Sequence, residues 1–481
     1  MKLLMLLVAP PSKHTIYPPL QLRLFATLVT LFFLCTVASA VSESVPPKLQ
    51  QKIEQAIPRG VEVGIYVLDA QRGDLLFSLK GERTLKPASV LKVATSYAAL
   101  KAYGPQYTIQ TRFYGERKSA SALKRLTIVG AGDPSLTIEG AWIAARALAL
   151  RGITQIDEVA LDATAFLEEK KVSGARAYET GSSALSFNHN SIGISVCPGS
   201  KVGEKALARF APWEWTPGTL TNRVVTAEGQ QVSLGVEVAK SSYAVSGRIG
   251  IDRACSVRYR SISNPPIYFG ETFIALLKSV GISVTRGEPF VIKVLGQPIA
   301  GEVLYEHQSK PIKGLLEDLN HFSNNFIGEQ LLYLIGSDNE KTYSRERGLE
   351  ALTDYGDSLG IPREEIFFDD GSGLSHDNRL SPRAVATFFY HAMRSPQFGV
   401  EFLNSLSVGG ESGTLKDRDF GENNVVRGKT GTLTGVSSLV GTMTTASGRQ
   451  VIFSIIENKL SSKDQGLALE NRVVHTVYDE L

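Results

Sequence analysis

Cysteine is scarce. The chain has three in 481 residues, and one of them, Cys35, lies in an apolar stretch near the N-terminus. Two remain, Cys197 and Cys255, too few for a zinc site by themselves. The seven histidines add no His/Cys cluster with ligand spacing, so no metal or other cofactor is expected. Net charge is also missing. The formal charge is +3, but Lys2, Lys13 and Arg23 sit in the first 40 residues without any Asp or Glu, so the rest of the chain is neutral. A neutral chain has no electrostatic footprint for nucleic acid. Low-complexity runs are lacking, as are repeats at solenoid or propeller periods, and both absences point to ordinary globular domains.

The N-terminus departs from this. "LFATLVTLFFLCTVASA" is an apolar run behind a basic start, and it ends in Ala38-Ser39-Ala40. Residues 1–40 therefore read as a secretory signal peptide. A signal anchor is the rival, but the run is shorter than the ~20 residues that span a bilayer. Cys35 follows Leu34 rather than Gly or Ala, which argues against a lipoprotein signal. The expectation is export to the periplasm or cell envelope, with no transmembrane segment after cleavage. An oxidising compartment permits a Cys197–Cys255 disulfide but does not require it.

Length suggests two or three domains. A short helix precedes "VEVGIYVLDAQRGDLLFSL", which reads as two strands around the turn Ala70–Asp74. From about 106 to 303 the pattern is β-rich, with helix candidates at "GAWIAARALALRGI" and "PPIYFGETFIALLKSVGI". From 311 the helical period returns, with Ile312, Leu315, Leu316 and Leu319 on one face and a second helix starting near Asn325. Two strands around Ser447-Gly448 and a last helix close the chain. Strand pairs at both ends, with helices between, predict one α/β domain (41–105 and 304–481) split by a long insert (106–303).

Three short stretches carry possible chemistry. "PASVLKVATSYAAL" places Ser89 and Lys92 at i and i+3, within reach on a helix. Pro87 suits a first helical turn, where the macrodipole favours a developing alkoxide. Burial among Val90, Leu91, Val93 and Ala94 disfavours a charged amine. Such a lysine can act as general base, and the serine becomes a nucleophile without histidine. A snorkelling lysine beside a cap serine fits the same letters. The spacing also recurs at Ser121/Lys124, ahead of a strand-like segment. In "FSNNFIGEQLL", Ser323, Asn324 and Asn325 sit at a helix–helix junction, as ordinary caps or as a polar cluster facing a cleft. In "RGKTGTLTGVSSLVG", Lys429, Thr430, Gly431 and Thr432 enter a strand. The glycine admits a close backbone, and the lysine and threonines can hold a carboxylate.

Ser-x-x-Lys, Ser-x-Asn and Lys-Thr-Gly, in that order, form the set of penicillin-binding proteins and class A β-lactamases. The wide gap between the first two narrows the match. The chain resembles the class C low-molecular-mass penicillin-binding proteins, the D-Ala-D-Ala carboxypeptidase/endopeptidase family of the penicillin-binding protein 4 type. "VGAGDPSL" and "DDGSGLSHDNRLSP" resemble further segments of that family, over nearly all of the chain after the signal. The resemblance implies a transpeptidase-like domain, with a central antiparallel sheet flanked by helices, interrupted by two small nested domains. It implies hydrolysis of peptidoglycan stem peptides and cross-links, with β-lactams as covalent inhibitors. Ser89 would attack, Lys92 take the proton, and Ser323, Asn325 and Lys429 complete the catalytic group. Thr430, Gly431 and Thr432 would bind substrate, and the Ser89 and Thr432 backbone N–H groups would form the oxyanion hole.

Three departures stand out. Asn324 replaces a frequent Asp. His376 stands where some relatives carry Arg near the diaminopimelyl side chain. Glu179, in "SGARAYETG", is the candidate acid for the same pocket but lacks a neighbouring Trp. The rivals are a serine β-lactamase, which needs a deacylation activator not seen here, and a non-catalytic peptidoglycan-binding or scaffolding protein. Oligomeric state is not readable.

Overall fold

Alternation of apolar residues makes a sheet with two dry faces. Val63, Ile65 and Val67 of the strand Glu62–Asp69 face one hydrophobic cluster, together with Leu439, Val451, Phe453 and Ile455. The neighbours in sequence, Leu68, Val440, Ile452 and Ile456, face the other cluster. A period of two with both phases apolar is what a doubly covered sheet requires. Each such side chain contributes roughly 1.5–3 kcal/mol on burial.

The computed structural model describes residues 47–481 apart from 169–173, 213–215, 217, 240–241, 293–297, 339–341 and 422–424. The expected signal peptide thus lies outside the described residues. The sheet has six strands in the order Ser407–Val408, Arg427–Leu433, Val436–Thr444, Gln450–Asn458, Glu62–Asp69, Leu75–Leu79, all antiparallel. Register runs from Glu62 opposite Asn458 to Asp69 opposite Val451, which knits the two ends of the chain together. Helices Pro47–Ala56 and Lys463–Glu480 cover one face. On the other lies the helix Lys92–Tyr103, buried from Lys92 to Leu100. It packs against Ile312–His321, Asn325–Ile335, Arg345–Ser358 and Pro382–Arg394. A helix apolar all round belongs at the centre of a helical layer.

A second sheet has the order Ser283–Val284, Gln155–Asp162, Ala122–Val129, Gln110–Arg117, Glu302–Gln308. In it Ala122–Val129 and Gln155–Asp162 run parallel, joined through the helix Ile138–Leu150, and Ser283–Val284 runs parallel to Gln155–Asp162 on its other side. Glu302–Gln308 pairs antiparallel with Gln110–Arg117, so the return strand belongs to this sheet. Between them lie two three-stranded sheets. In one, Thr219–Ala227 and Ser242–Gly250 run parallel, with Val232–Ala239 on the far side of Ser242–Gly250. The other holds Ser191–Cys197 between Ser256–Ser261 and Leu207–Ala211. Cys197 and Cys255 are joined in a disulfide that closes a sequence separation of 58. Among the described residues no helix is long and apolar enough to cross a membrane.

Candidate active site

The predicted first turn of the Ser89/Lys92 helix is tighter than an α-helix. Ala88–Leu91 form a 3₁₀ turn, and the α-helix starts at Lys92. Ala88 has φ of +50°, a left-handed conformation that costs a non-glycine residue about 1–2 kcal/mol. Neighbouring backbones hold it there. Ser438 Oγ donates to Pro87 O at 2.6 Å. Gly373, at φ +78°, presses so close that an added Cβ would lie 2.1 Å from Ala88 O. Strain of this kind persists where the surroundings over-determine it, as at many functional sites.

The turn lifts Ser89 to the surface of the helical layer and leaves Lys92 fully buried beneath it. Lys92 Nζ is 2.9 Å from Ser89 Oγ and 2.7 Å from Asn325 Oδ1, and it also bonds the Ser372 carbonyl. Two of these partners, Asn325 Oδ1 and Ser372 O, can only accept. A neutral amine has two N–H groups to satisfy them, and its lone pair is then left for the Ser89 hydroxyl proton. Burial pulls the Lys92 amine down to about 7, while the Asp370 and Glu329 carboxylates oppose that shift. At neutral pH a large share of this lysine is therefore the free base.

The Ser372 carbonyl is a feature the motif reading missed. It belongs to the loop "DDGSGLS", held by a buried carboxylate. Asp370 accepts from the backbone N–H groups of Ser372 (3.1 Å), Gly373 (2.6 Å) and Ser375 (2.7 Å), and from Asn378 Nδ2 (2.9 Å). Gly371 N donates to Glu329 Oε1 at 3.0 Å. Thr95 Oγ1, one turn along from Lys92, donates to Gly371 O at 2.8 Å. A backbone acceptor leaves no mark in the sequence. The nearest signal was the clustering of Asp, Gly and Ser itself.

At the helix–helix junction the three polar residues separate by role. Asn324 is the N-cap of Asn325–Ile335, its Oδ1 accepting from Ile327 N at 3.2 Å. This frees Ser323, at φ +54°, and Asn325 to point elsewhere. Ser323 Oγ accepts from Lys429 Nζ at 2.9 Å. Lys429 is fully buried and also donates to Thr430 O at 2.6 Å. Burial first, and repulsion from Lys92 second, hold its amine well below the usual lysine range.

The strand Arg427–Leu433 brings the third motif to the same place. On its inner side it pairs along its length with Val436–Thr444. On its outer side Ser407–Val408 reach only Gly428 and Arg427. Among the described residues, no strand covers the outer edge from Lys429 to Leu433. An open edge is a template for an extended peptide. Gly431 passes so near the Ala88–Leu91 turn that a Cβ there would lie 2.7 Å from Ser89 N and 2.3 Å from Ser438 Oγ. Thr430 Oγ1 donates to Thr414 Oγ1 at 2.8 Å, and Thr432 is exposed.

His376 and Glu179 come from distant segments, yet both line a cavity of about 960 Å³ together with Tyr178, Asn325, Leu374 and Thr432. His376 is exposed at a loop tip. Glu179 folds back on its own turn and accepts from Arg176 N at 2.9 Å. The second Ser-x-x-Lys copy is elsewhere: Lys124 lies on a strand and bonds Glu116 Oε1 at 2.7 Å, exposed on the surface. Among the described residues no group of three or more His, Cys, Asp or Glu side chains could hold a metal ion.

A serine and a buried lysine drawn down to about 7, under an open strand edge, define a class, the penicillin-binding serine acyl-transfer proteins. Its architecture recurs in the crystal structure of penicillin binding protein 4 (dacB) from Haemophilus influenzae, with a TM-score of 0.75 at 22% identity, over 89% of this chain and 99% of that one. The same protein complexed with a β-lactam matches with a TM-score of 0.70 at 23% identity, over 90% of this chain and 99% of that one. By sequence, the chain is 30% identical over 431 residues to a D-alanyl-D-alanine carboxypeptidase of an Actinomadura strain, covering 84% of this chain and 79% of that protein. The model of the D-Ala-D-Ala carboxypeptidase 3 (S13) family matches residues 47–477, and the chain belongs to that family of serine peptidases.

Proposed function

We propose that the chain hydrolyses the bond that follows a D-alanine in peptidoglycan stem peptides, as carboxypeptidase on free ends and as D,D-endopeptidase on cross-links. The single observation that carries the proposal is the Lys92 amine. It is buried, drawn down to about 7, satisfied by two acceptors, and set 2.9 Å from Ser89 Oγ.

Lys92 takes the Ser89 proton as Oγ attacks the D-alanyl carbonyl. The Ser89 and Thr432 N–H groups stabilise the oxyanion. The substrate lies along the open edge of Arg427–Leu433, its terminal carboxylate held by Thr430, Thr432 and the Lys429 side. Ser323, bonded to Lys429, relays a proton to the leaving amine, and Asn325 presents its amide to the substrate. The C–N bond breaks, the amine leaves, and water then resolves the ester on Ser89 to release the acid. A β-lactam mimics this substrate but has no leaving amine that departs, so its ester persists. The family's description and the β-lactam complex of the Haemophilus relative support this reading.

His376 and Glu179, facing one cavity, are assigned to the free end of the diaminopimelyl side chain; equal cleavage of peptides with and without that amine would remove this assignment. Residues 41–105 and 304–481 are assigned to the reaction and 106–303 to the insert, except that the strand Glu302–Gln308 pairs with Gln110–Arg117 and so goes with the insert. Residues 1–40 act as an export signal, and the Cys197–Cys255 bridge suits the oxidising compartment beyond the inner membrane. Release of D-alanine from a pentapeptide by the mature protein, lost in Ser89→Ala, tests the activity. No release from the intact chain would refute it.

A further inference from the structure

A second cavity, of about 710 Å³, is lined in part by the Ser-Asn-Asn junction. It shares Tyr178 and Asn325 with the first cavity and is bordered by Ser323. The mechanism leaves it unused. Its walls come from the insert as well as from the catalytic junction, through Tyr259, Ile138 and His189 on one side and Phe322 and Phe326 on the other.

Its chemistry is distinctive. Tyr178, Tyr259 and Phe322 are 45%, 56% and 72% exposed, large figures for aromatic rings at one opening. Among the described residues no Lys or Arg lines it and Glu139 is the one carboxylate, while the Arg176 guanidinium lies over the Tyr178 ring at 5.7 Å. Burial pushes the His189 imidazole below its usual range, and its Nδ1 finds no hydrogen-bond partner among the described residues. Stem peptides bear carboxylates, which a lining with one acid and, among the described residues, no Lys or Arg does not favour. A pyranose ring is neutral, has apolar C–H faces that cover aromatic rings, and has an acetamido group and hydroxyls for buried polar atoms.

We propose that this cavity is a subsite for the glycan strand, taking an N-acetylhexosamine ring against Tyr259, Tyr178 and Phe322. The inference rests on the peptidoglycan reading above. A stem peptide whose scissile carbonyl is at Ser89 is tethered to an amino sugar, and a subsite beyond Asn325 would anchor that end. Substrate preference then depends on the sugar, although the bond cleaved does not.

The test uses the mature protein and two soluble pentapeptides, one free and one carrying its N-acetylhexosamine disaccharide. The wild type should show a KM about tenfold lower for the disaccharide form, with kcat little changed, equivalent to ~1.4 kcal/mol of binding. Tyr259→Ala and Phe322→Ala should bring the two KM values within about twofold, and Tyr259→Phe should retain the difference. Penicillin acylation and cleavage of the free peptide should not change in Tyr259→Ala, which also shows that the variant folds. Equal KM values in the wild type would overturn the subsite and leave the peptidase reading intact. A sugar-free cross-linked dimer that is preferred over the monomer, with that preference lost in Tyr259→Ala, would overturn the sugar assignment in favour of a second peptide. Should no peptide be cleaved, the peptidase reading fails, and calorimetric binding of both peptides to Ser89→Ala decides the subsite independently. Tighter binding of the disaccharide form supports it and equal binding overturns it.

Discussion

The chain contains the letters Ser-x-x-Lys twice, and the two copies have opposite fates. At Ser89/Lys92 the backbone is a turn running into a helix, so the two side chains meet at 2.9 Å and the lysine is sealed from solvent. At Ser121/Lys124 the segment enters the strand Ala122–Val129. Residues three apart on a strand face opposite ways, and Lys124, with a side chain 62% exposed, takes Glu116 as its partner. Burial draws the first amine down to about 7, whereas the second lies on the surface in an ion pair with Glu116. A motif supplies residues, but backbone shape and a dry environment decide whether they can act as the proposed base and nucleophile.

The contrast can be broken by experiment, starting where the effect is largest. Lys92→Ala should slow acylation by a β-lactam by ~10³–10⁴-fold, whereas Lys124→Ala should stay within about twofold. Comparable losses in both would erase the distinction. Next, Gly431→Ala pushes a methyl towards Ser89 N, 2.7 Å away, and should slow acylation by roughly 10²-fold while the protein stays folded by circular dichroism. An unchanged rate would show that the strand does not need its close approach to the nucleophile.

Stability should move the other way. The Lys92 amine falls from 10.5 to about 7 on folding, so between those values the unfolded chain binds more protons than the folded one. Stability therefore rises with pH across that window, and at pH 7 the buried lysine costs the fold free energy. Lys92→Met should stabilise the protein by roughly 2–4 kcal/mol at pH 7 in urea unfolding, and Lys124→Met by less than about 0.5 kcal/mol. A destabilised Lys92→Met would mean that the lysine is held by its partners rather than strained by burial.

The smallest effect concerns tuning. Acylation should follow a single rising limb with a midpoint near pH 7, because only the free amine takes the serine proton. Glu329 opposes the burial shift, so Glu329→Gln, which keeps an acceptor for Gly371 N, should move the midpoint to lower pH by a fraction of a unit. A merely structural Glu329 would lower the rate and leave the midpoint in place.

Much of this arrangement was legible because it rests on local rules. The strand pairs flanking Ala70–Asp74 and Ser447-Gly448 announce themselves by alternation around turn residues. Lys92 could be read as dry from its apolar neighbours. The rest depends on contacts distant in sequence. Ser372 O acts through a backbone atom, which composition does not encode. The left-handed Ala88 is imposed by Gly373, a residue 285 positions away in "DDGSGLS". The parallel pairing of Thr219–Ala227 with Ser242–Gly250 is equally silent, since alternation gives a strand but not its partner. The Ser-Asn-Asn triplet was readable as a cap or as a cleft cluster, and the structure uses it as both, with Asn324 capping and its neighbours facing the lysines.

The central claim is that Ser89 is a nucleophile activated by an uncharged lysine. Its most direct test is intact-mass spectrometry of the mature protein over time after addition of a fluorescent penicillin, beside Ser89→Ala. The account predicts one long-lived covalent adduct on the wild type, mapped to the Ser89 peptide, and none on the variant. An adduct that survives in Ser89→Ala, or the absence of any adduct on the wild type at pH 8, would contradict it.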